Sequence, residues 1–223
     1  PAHVVVTPDG RRALVTNSED NNVSLVDLAS SSVVGTVPTG EGPHGLRVSP
    51  DGAEAYVANV GDGTVSVIDL KANTEAARIP VGKAPVQVGF TPDGSQVFVS
   101  LRDEDKVALI DTKTRKVLDR IAVGDGPIQV HATADARYLL VANQGTEDKP
   151  GDTVSVIDIA GRKIIDTLKT APGAHGVAVS STGNLAFVTN IYDGTLSVVD
   201  LSNFSILANV KVGQGPNGVT YSQ

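Results

Sequence analysis

The sequence predicts an all-β fold assembled from repeated four-stranded units, and three observations predict it. The 223 residues include four Tyr, four Phe and neither Trp nor Met, so the core is aliphatic and rich in Val, which favours strands over helices. A Pro-Asp-Gly turn recurs as Pro8-Asp9-Gly10, Pro50-Asp51-Gly52 and Pro92-Asp93-Gly94, then in degenerate form as Ala134-Asp135-Ala136 and Ser181-Thr182-Gly183. Its period is about 42 residues, with the last interval five longer. Between turns lie short β-rich runs bounded by Pro, Gly, Asp and Asn, and no segment has a helical period long enough to compete.

Each unit reads as four strands in order. The first keeps an apolar residue at Val4, Leu46, Val88, Val130, Val177 and Val219, and a hydroxyl at Thr7, Ser49, Thr91, Thr133, Ser180 and Ser222. The second reads Leu14-Val15-Thr16-Asn17, Tyr56-Val57-Ala58-Asn59, Phe98-Val99-Ser100-Leu101, Leu140-Val141-Ala142-Asn143 and Phe187-Val188-Thr189-Asn190. The third ends in Asp27, Asp69, Asp111, Asp158 and Asp200, and the fourth leads into Gly-rich turns around Gly40, Gly82, Gly124 and Gly213. In the second unit the strands are expected near His44 to Ser49, Glu54 to Asn59, Thr64 to Leu70 and Glu75 to Val81. The third of these is apolar or small on both faces, as when a sheet is packed between two neighbours. Four strands per unit at this period are the arithmetic of a β-propeller blade. The units run 1–42, 43–84, 85–126, 127–173 and 174–215, with a partial 216–223, and the five extra residues fall within Gln144 to Thr153.

The second-strand motif and the Pro-Asp-Gly turn resemble the YVTN family of β-propeller repeats, relatives of the WD-repeat propellers, across essentially the whole chain. Asn17, Asn59, Asn143 and Asn190 close the motif as the family does, whereas Leu101 departs from it. The resemblance implies a seven-bladed parent. Pro1 to Thr7 and Pro216 to Ser222 both encode a first strand, so one strand more than five blades need is expected, and with it an incomplete propeller.

Composition narrows the function classes. Without Cys there is no disulfide, no thiolate zinc site and no cysteine nucleophile. A net charge of -7 disfavours nucleic acid, whose phosphates need clustered Lys and Arg. No apolar run approaches the roughly 20 residues that span a bilayer. The catalytic signatures Gly-x-Ser-x-Gly and His-Glu-x-x-His are absent, as is a phosphate-binding loop. No pattern implies a metal or a cofactor.

Residues recurring in every unit are explained by building every blade, so the singletons carry the functional signal. The five Asp that end the third strands are expected to cap turns. Between the fixed positions of the first strand one position varies through Val5, Arg47, Gly89, His131, Ala178 and Thr220. In a propeller the innermost strand lines the central channel, which makes Arg47 and His131 candidates to meet a bound molecule. The mouth position varies through Ala2, His44, Val86, Ile128, His175 and Asn217, with His3, Gln87 and Gln129 beside it. His44, Arg47, Gln87, Gln129, His131, His175 and Asn217 are the candidate channel-mouth set.

The connections between second and third strands, and between units, emerge on one face. Twelve of the 25 acidic residues fall there, opposed by Lys83, Arg102, Lys106 and Lys149. Asp103, Glu104, Asp105, Glu147, Asp148 and Asp152 are the strongest candidates for steering a cationic partner. The insertion makes Gln144 to Thr153 the longest expected loop, and it points to the same face. These features favour a non-enzymatic binding or scaffold propeller for a protein or small ligand. The resemblance implies an extracytoplasmic setting: secreted, periplasmic or at the cell surface. It also implies the alternative, a lactonase-like or oxidoreductase-associated propeller with a polar channel-mouth site in which His44, Arg47, His131 and His175 do the work.

Overall fold

In a computed structural model that describes residues 1–221, the repeated turns show why each unit folds as it does. The turn Asp accepts from the hydroxyl ending the preceding strand: Thr7 donates to Asp9, Ser49 to Asp51, Thr91 to Asp93 and Thr133 to Asp135, each at 2.6 Å. The same hydroxyl accepts from the N–H that opens the next strand, at Arg12, Glu54, Gln96, Tyr138 and Leu185. This double use accounts for the recurring Thr or Ser. The sixth copy, Ser222, lies outside the described residues. Gly10, Gly52 and Gly94 close the turns at φ of 69, 73 and 71°, where only glycine sits without strain. Ala136 adopts φ 57° in the degenerate fourth turn.

The strands form five four-stranded antiparallel sheets, each in chain order. The first contains β1 (His3–Val6), β2 (Arg12–Asn17), β3 (Asn22–Asp27) and β4 (Ser32–Pro38). The second contains β5 (Pro43–Val48), β6 (Glu54–Asn59), β7 (Thr64–Asp69) and β8 (Thr74–Pro80), within a residue or so of the expected bounds. The third contains β9 (Pro85–Phe90), β10 (Gln96–Leu101), β11 (Lys106–Asp111) and β12 (Lys116–Ala122). The fourth contains β13 (Pro127–Ala132), β14 (Tyr138–Gly145), β15 (Pro150–Asp158) and β16 (Lys163–Lys169). The fifth contains β17 (Ala174–Val179), β18 (Leu185–Asn190), β19 (Thr195–Asp200) and β20 (Ser205–Lys211). The helical content of the described residues is one 3-10 turn, Arg102–Glu104. None of their helices is long and apolar enough to cross a membrane.

The capping role expected of the third-strand Asp holds in every sheet. Their carboxylates accept from the backbone N–H of Ser30, Ala72, Thr114, Gly161 and Ser202 at 2.7–2.9 Å. The second-strand Asn is explained equally locally. Asn59 donates through Nδ2 to Thr64 and Ser66, Asn143 to Thr153 and Ser155, and Asn190 to Thr195 and Ser197, all at 2.9–3.0 Å. Asn17 does the same to Asn22 and Ser24. In the third sheet both acceptors are missing, because Lys106 and Ala108 stand where the others have polar oxygens. Leu101 fills that site fully buried. Its departure from the motif is therefore matched by its neighbours.

By internal contacts the chain divides into two units, residues 1–101 with 108–118, and residues 102–107 with 119–223. The first has two apolar cores. One joins the first and second sheets through Leu14, Leu25, Leu46, Val57 and Ile68, and the other joins the second and third through Val67, Val88, Val99 and Ile110. The second unit has one between the fourth and fifth sheets, around Leu140, Val156, Val177 and Val188. Burial of these β-branched and Leu side chains is the main force holding sheet to sheet. Val4, at the register of fully buried Leu46 and Val88, is 60% exposed.

Two expectations are corrected. The extra strand read from Pro216 to Ser222 does not form in its described part, since residues 216–221 are unpaired. A first strand bonds only to the second strand of its own unit, and among the described residues this copy meets none. It nonetheless passes beside β17: a Cβ on Gly176 would touch Gly218 and Val219, as one on Gly45 would touch Val86 and Gln87. Tyr221 stacks on Phe187 with ring centroids 5.9 Å apart. The insertion, read as a long loop, is instead a longer hairpin. Gly145 pairs with Pro150, and Thr146 N–H bonds Lys149 C=O at 3.0 Å.

Candidate functional site

The first strands of the second to fifth sheets share an irregularity that positions the mouth residues. Register shifts separate Pro43 from Leu46, Pro127 from Val130 and Ala174 from Val177, with a matching shift at Val99/Leu101 opposite β9. His44, Gln87, Gln129 and His175 all sit in these bulges, which release side chains from the regular pleat. The bulge recurs and is scaffold. What differs from sheet to sheet is the residue it presents.

In the first unit, His44 and Arg47 on β5 and Gln87 on β9 lie on neighbouring first strands, with His3 on β1 beside them. The Thr16 hydroxyl binds two neighbouring strands at once: it accepts from His3 N–H at 2.9 Å and donates to His44 C=O at 2.8 Å. His44 Nδ1 donates to Val86 C=O on the next first strand, at 3.2 Å. Gln87, almost wholly buried, lies with Nε2 at 3.5 Å from His3 Nε2. Arg47 is half-buried, and its Nη1 donates to Leu46 C=O at 2.9 Å. Burial pushes the His3 ring from 6.5 down to about 4, helped by the positive charge of Arg47 and by His44. Burial also lowers the Arg47 guanidinium. His3 was visible beside the mouth position but was not in the candidate set. The signal that marks it is the glycine at its equivalent position on β5, Gly45, which opens the path to Gln87.

In the second unit, β13 carries Gln129 and His131, and β17 carries His175. Gln129 Oε1 accepts from Val177 N–H at 3.4 Å. His131 and His175 are half-buried on their strands. Asn217 is exposed in the unpaired run 216–221 and not on a strand.

The acidic residues lie on the connections as read, with many tied up locally. In the first unit Asp62 accepts from Glu41 N–H at 3.1 Å and from the Thr64 hydroxyl at 2.6 Å. In the second, Asp105 accepts from Gly126 N–H at 2.8 Å. Asp103 pairs with Arg102 at 2.7 Å, Glu104 with Lys106 at 3.7 Å and Asp152 with Lys169 at 3.6 Å, while Asp125 pairs with Lys149. Glu147 and Asp148 stand exposed at the hairpin tip. Beneath it lies a cavity of ≈ 590 Å³ lined by Glu147, Ile191, Tyr192, Asp193, Gly194, Gln214 and Gly215. Gln144 Nε2 donates to the Tyr192 hydroxyl at 2.9 Å, fixing the ring as one wall. Among the described residues, no group of three or more His, Cys, Asp or Glu is arranged to hold a metal ion.

Five four-stranded sheets with these shared turns define a β-propeller repeat protein. The family model for YNCE-like beta-propellers matches residues 48–145 and 116–222, so the chain belongs to that family. No curated protein sequence matches it. Among solved structures it is similar to Kuenenia stuttgartiensis hydrazine synthase, with a TM-score of 0.76 and 20% identity over 100% of this chain and 89% of that one. At that identity the likeness is one of fold. A β-propeller supports a binding or scaffold role in general.

Proposed function

We propose that this protein is a non-enzymatic, extracytoplasmic binding propeller whose acidic loop face receives a cationic partner, a basic segment of a protein or a small amine. The observation that carries this reading is the cavity under the hairpin tip. There two carboxylates, Glu147 and Asp193, share a ≈ 590 Å³ space with the ring of Tyr192. A carboxylate pair beside an aromatic face suits an ammonium or guanidinium group, which gains both Coulombic and cation–π attraction. The excess of acids on the connections steers such a partner inward. The extracytoplasmic setting rests on the resemblance to YVTN repeats, and the hairpin supports the choice of face.

The test is binding of a lysine-rich peptide, with a glutamate-rich peptide as control. Glu147→Gln and Asp193→Asn are each expected to weaken capture about threefold, with affinity falling as salt rises. Affinity unchanged by both variants and by ionic strength removes the reading.

A further inference from the structure

We propose that Arg47, His3 and His44 form a binding site for a small oxyanion, a carboxylate or a phosphate, on the inner strands of the first two sheets. It is independent of the acidic-face reading, because its residues are different and its ligand has the opposite charge.

Arg47 supplies the first argument. Its guanidinium carries five N–H donors in a planar fork suited to a carboxylate or phosphate. One of its nitrogens bonds Leu46 C=O, and none of the ion pairs among the described residues includes it. A desolvated cation without a counter-ion is costly, and an arriving anion relieves that cost. The equivalent positions on the flanking strands are Val5 and Gly89. Neither offers an acceptor, and Gly89 has no side chain to fill the space.

His3 supplies the second. Gln87 Oε1 accepts from Val88 N–H at 3.0 Å, so the amide turns its NH₂ end toward His3 Nε2. That nitrogen is then the acceptor, and the ring proton resides on Nδ1. Nδ1 is buried and has no hydrogen-bond partner. A buried donor held in one tautomer without an acceptor is what a bound oxyanion satisfies. His44 is anchored through Nδ1 to Val86 C=O, which leaves Nε2 as the ring's second polar atom. None of the ion pairs among the described residues joins a carboxylate to Arg47, His3 or His44. Burial is the main cause of the depressed His3 pKa, and the Arg47 charge adds to it.

The experiment is a nitrogen-detected NMR titration of the full chain, with the four histidine rings assigned from single His→Gln variants. Inorganic phosphate and succinate are the probes, and chloride at matched ionic strength is the control. The expected result is a saturable shift of the His3 ring with a millimolar midpoint, the scale for so few contacts. Arg47→Gln weakens it about tenfold or more, and Arg47→Lys, which keeps charge without the fork, weakens it less. The stronger of the two probes identifies the oxyanion class. Shifts that do not saturate, that chloride reproduces, or that persist in Arg47→Gln overturn the proposal. Should Arg47→Gln fail to fold, calorimetry of His3→Gln and His44→Gln decides. A threefold loss in either supports the site, and unchanged affinity in both overturns it.

Discussion

Gln87 reaches across the inner strand of the second sheet to place its amide 3.5 Å from the ring of His3, a residue 84 positions earlier. The path exists because Gly45 lies beneath it. A Cβ at Gly45 would collide with Gln87 Oε1 and Val86 O. Gly45→Ala is therefore expected to cost about 1–3 kcal/mol by overpacking. Gly218→Ala, at the equivalent register with nothing within 4 Å, is expected to stay within about 0.5 kcal/mol. Chemical denaturation midpoints of the two variants check this, and equal losses would show that the crossing is not tight.

His3 sets a pH dependence whose sign follows from its folded pKa of about 4, below the ordinary 6.5. A depressed histidine makes the unfolded chain the stronger proton binder between those values, so stability is full above 6.5 and declines as pH falls towards 4. For a ring this exposed the loss is on the order of 2 kcal/mol after solvent screening. His3→Gln is expected to flatten that part of the profile. The turn carboxylates Asp9, Asp51, Asp93 and Asp135 are also depressed, but from 3.8. Their losses therefore come at lower pH and do not mask the histidine. Unfolding curves across pH 7 to 4 for both proteins provide the comparison.

Val4 and Val88 occupy the same position of the repeat in different surroundings, one 60% exposed and the other fully buried. Val88→Ala is expected to destabilise by about 2–3 kcal/mol, the cost of a cavity between sheets, and Val4→Ala by under about 0.5 kcal/mol. Thermal unfolding of the pair tests whether burial between sheets, rather than strand propensity, governs this register.

Leu101→Asn restores the motif found in the other four sheets and is nevertheless expected to destabilise, by about 1–3 kcal/mol. It buries an amide where Lys106 and Ala108 offer no matching oxygens. Ala108→Ser in the Leu101→Asn background should recover part of the loss. The double-mutant cycle gives the coupling energy, and a value near zero would mean that the Asn-hydroxyl network does not act as a unit.

Much of the scaffold was legible because its determinants are local. Thr7 and Asp9 lie two residues apart, Asp27 caps an N–H three residues on, and Asn59 bonds Thr64 and Ser66. Such spacings repeat in the sequence and can be read from it. The insertion was placed correctly but read as a loop, since strand extension through Gly145 and Pro150 depends on pairing that two poor strand formers do not announce. The first-strand pattern at Pro216 to Ser222 was equally visible. A strand without a partner to bond does not pair, however well its sequence fits.

The sequence by itself determined the five sheets, their turns and the substitution that makes the third sheet different, because those depend on hydrogen bonds a few residues long. Only the tertiary structure decided which singletons meet. His3, Arg47 and Gln87 stand on three successive inner strands, one in each of the first three repeats. The contact of Gln87 with His3 depends on how neighbouring sheets stack and on Gly45 leaving a gap between them. Residues that far apart carry no shared period to mark them as a group. Packing brings them together, and the lack of a counter-ion there is a property of the assembled neighbourhood.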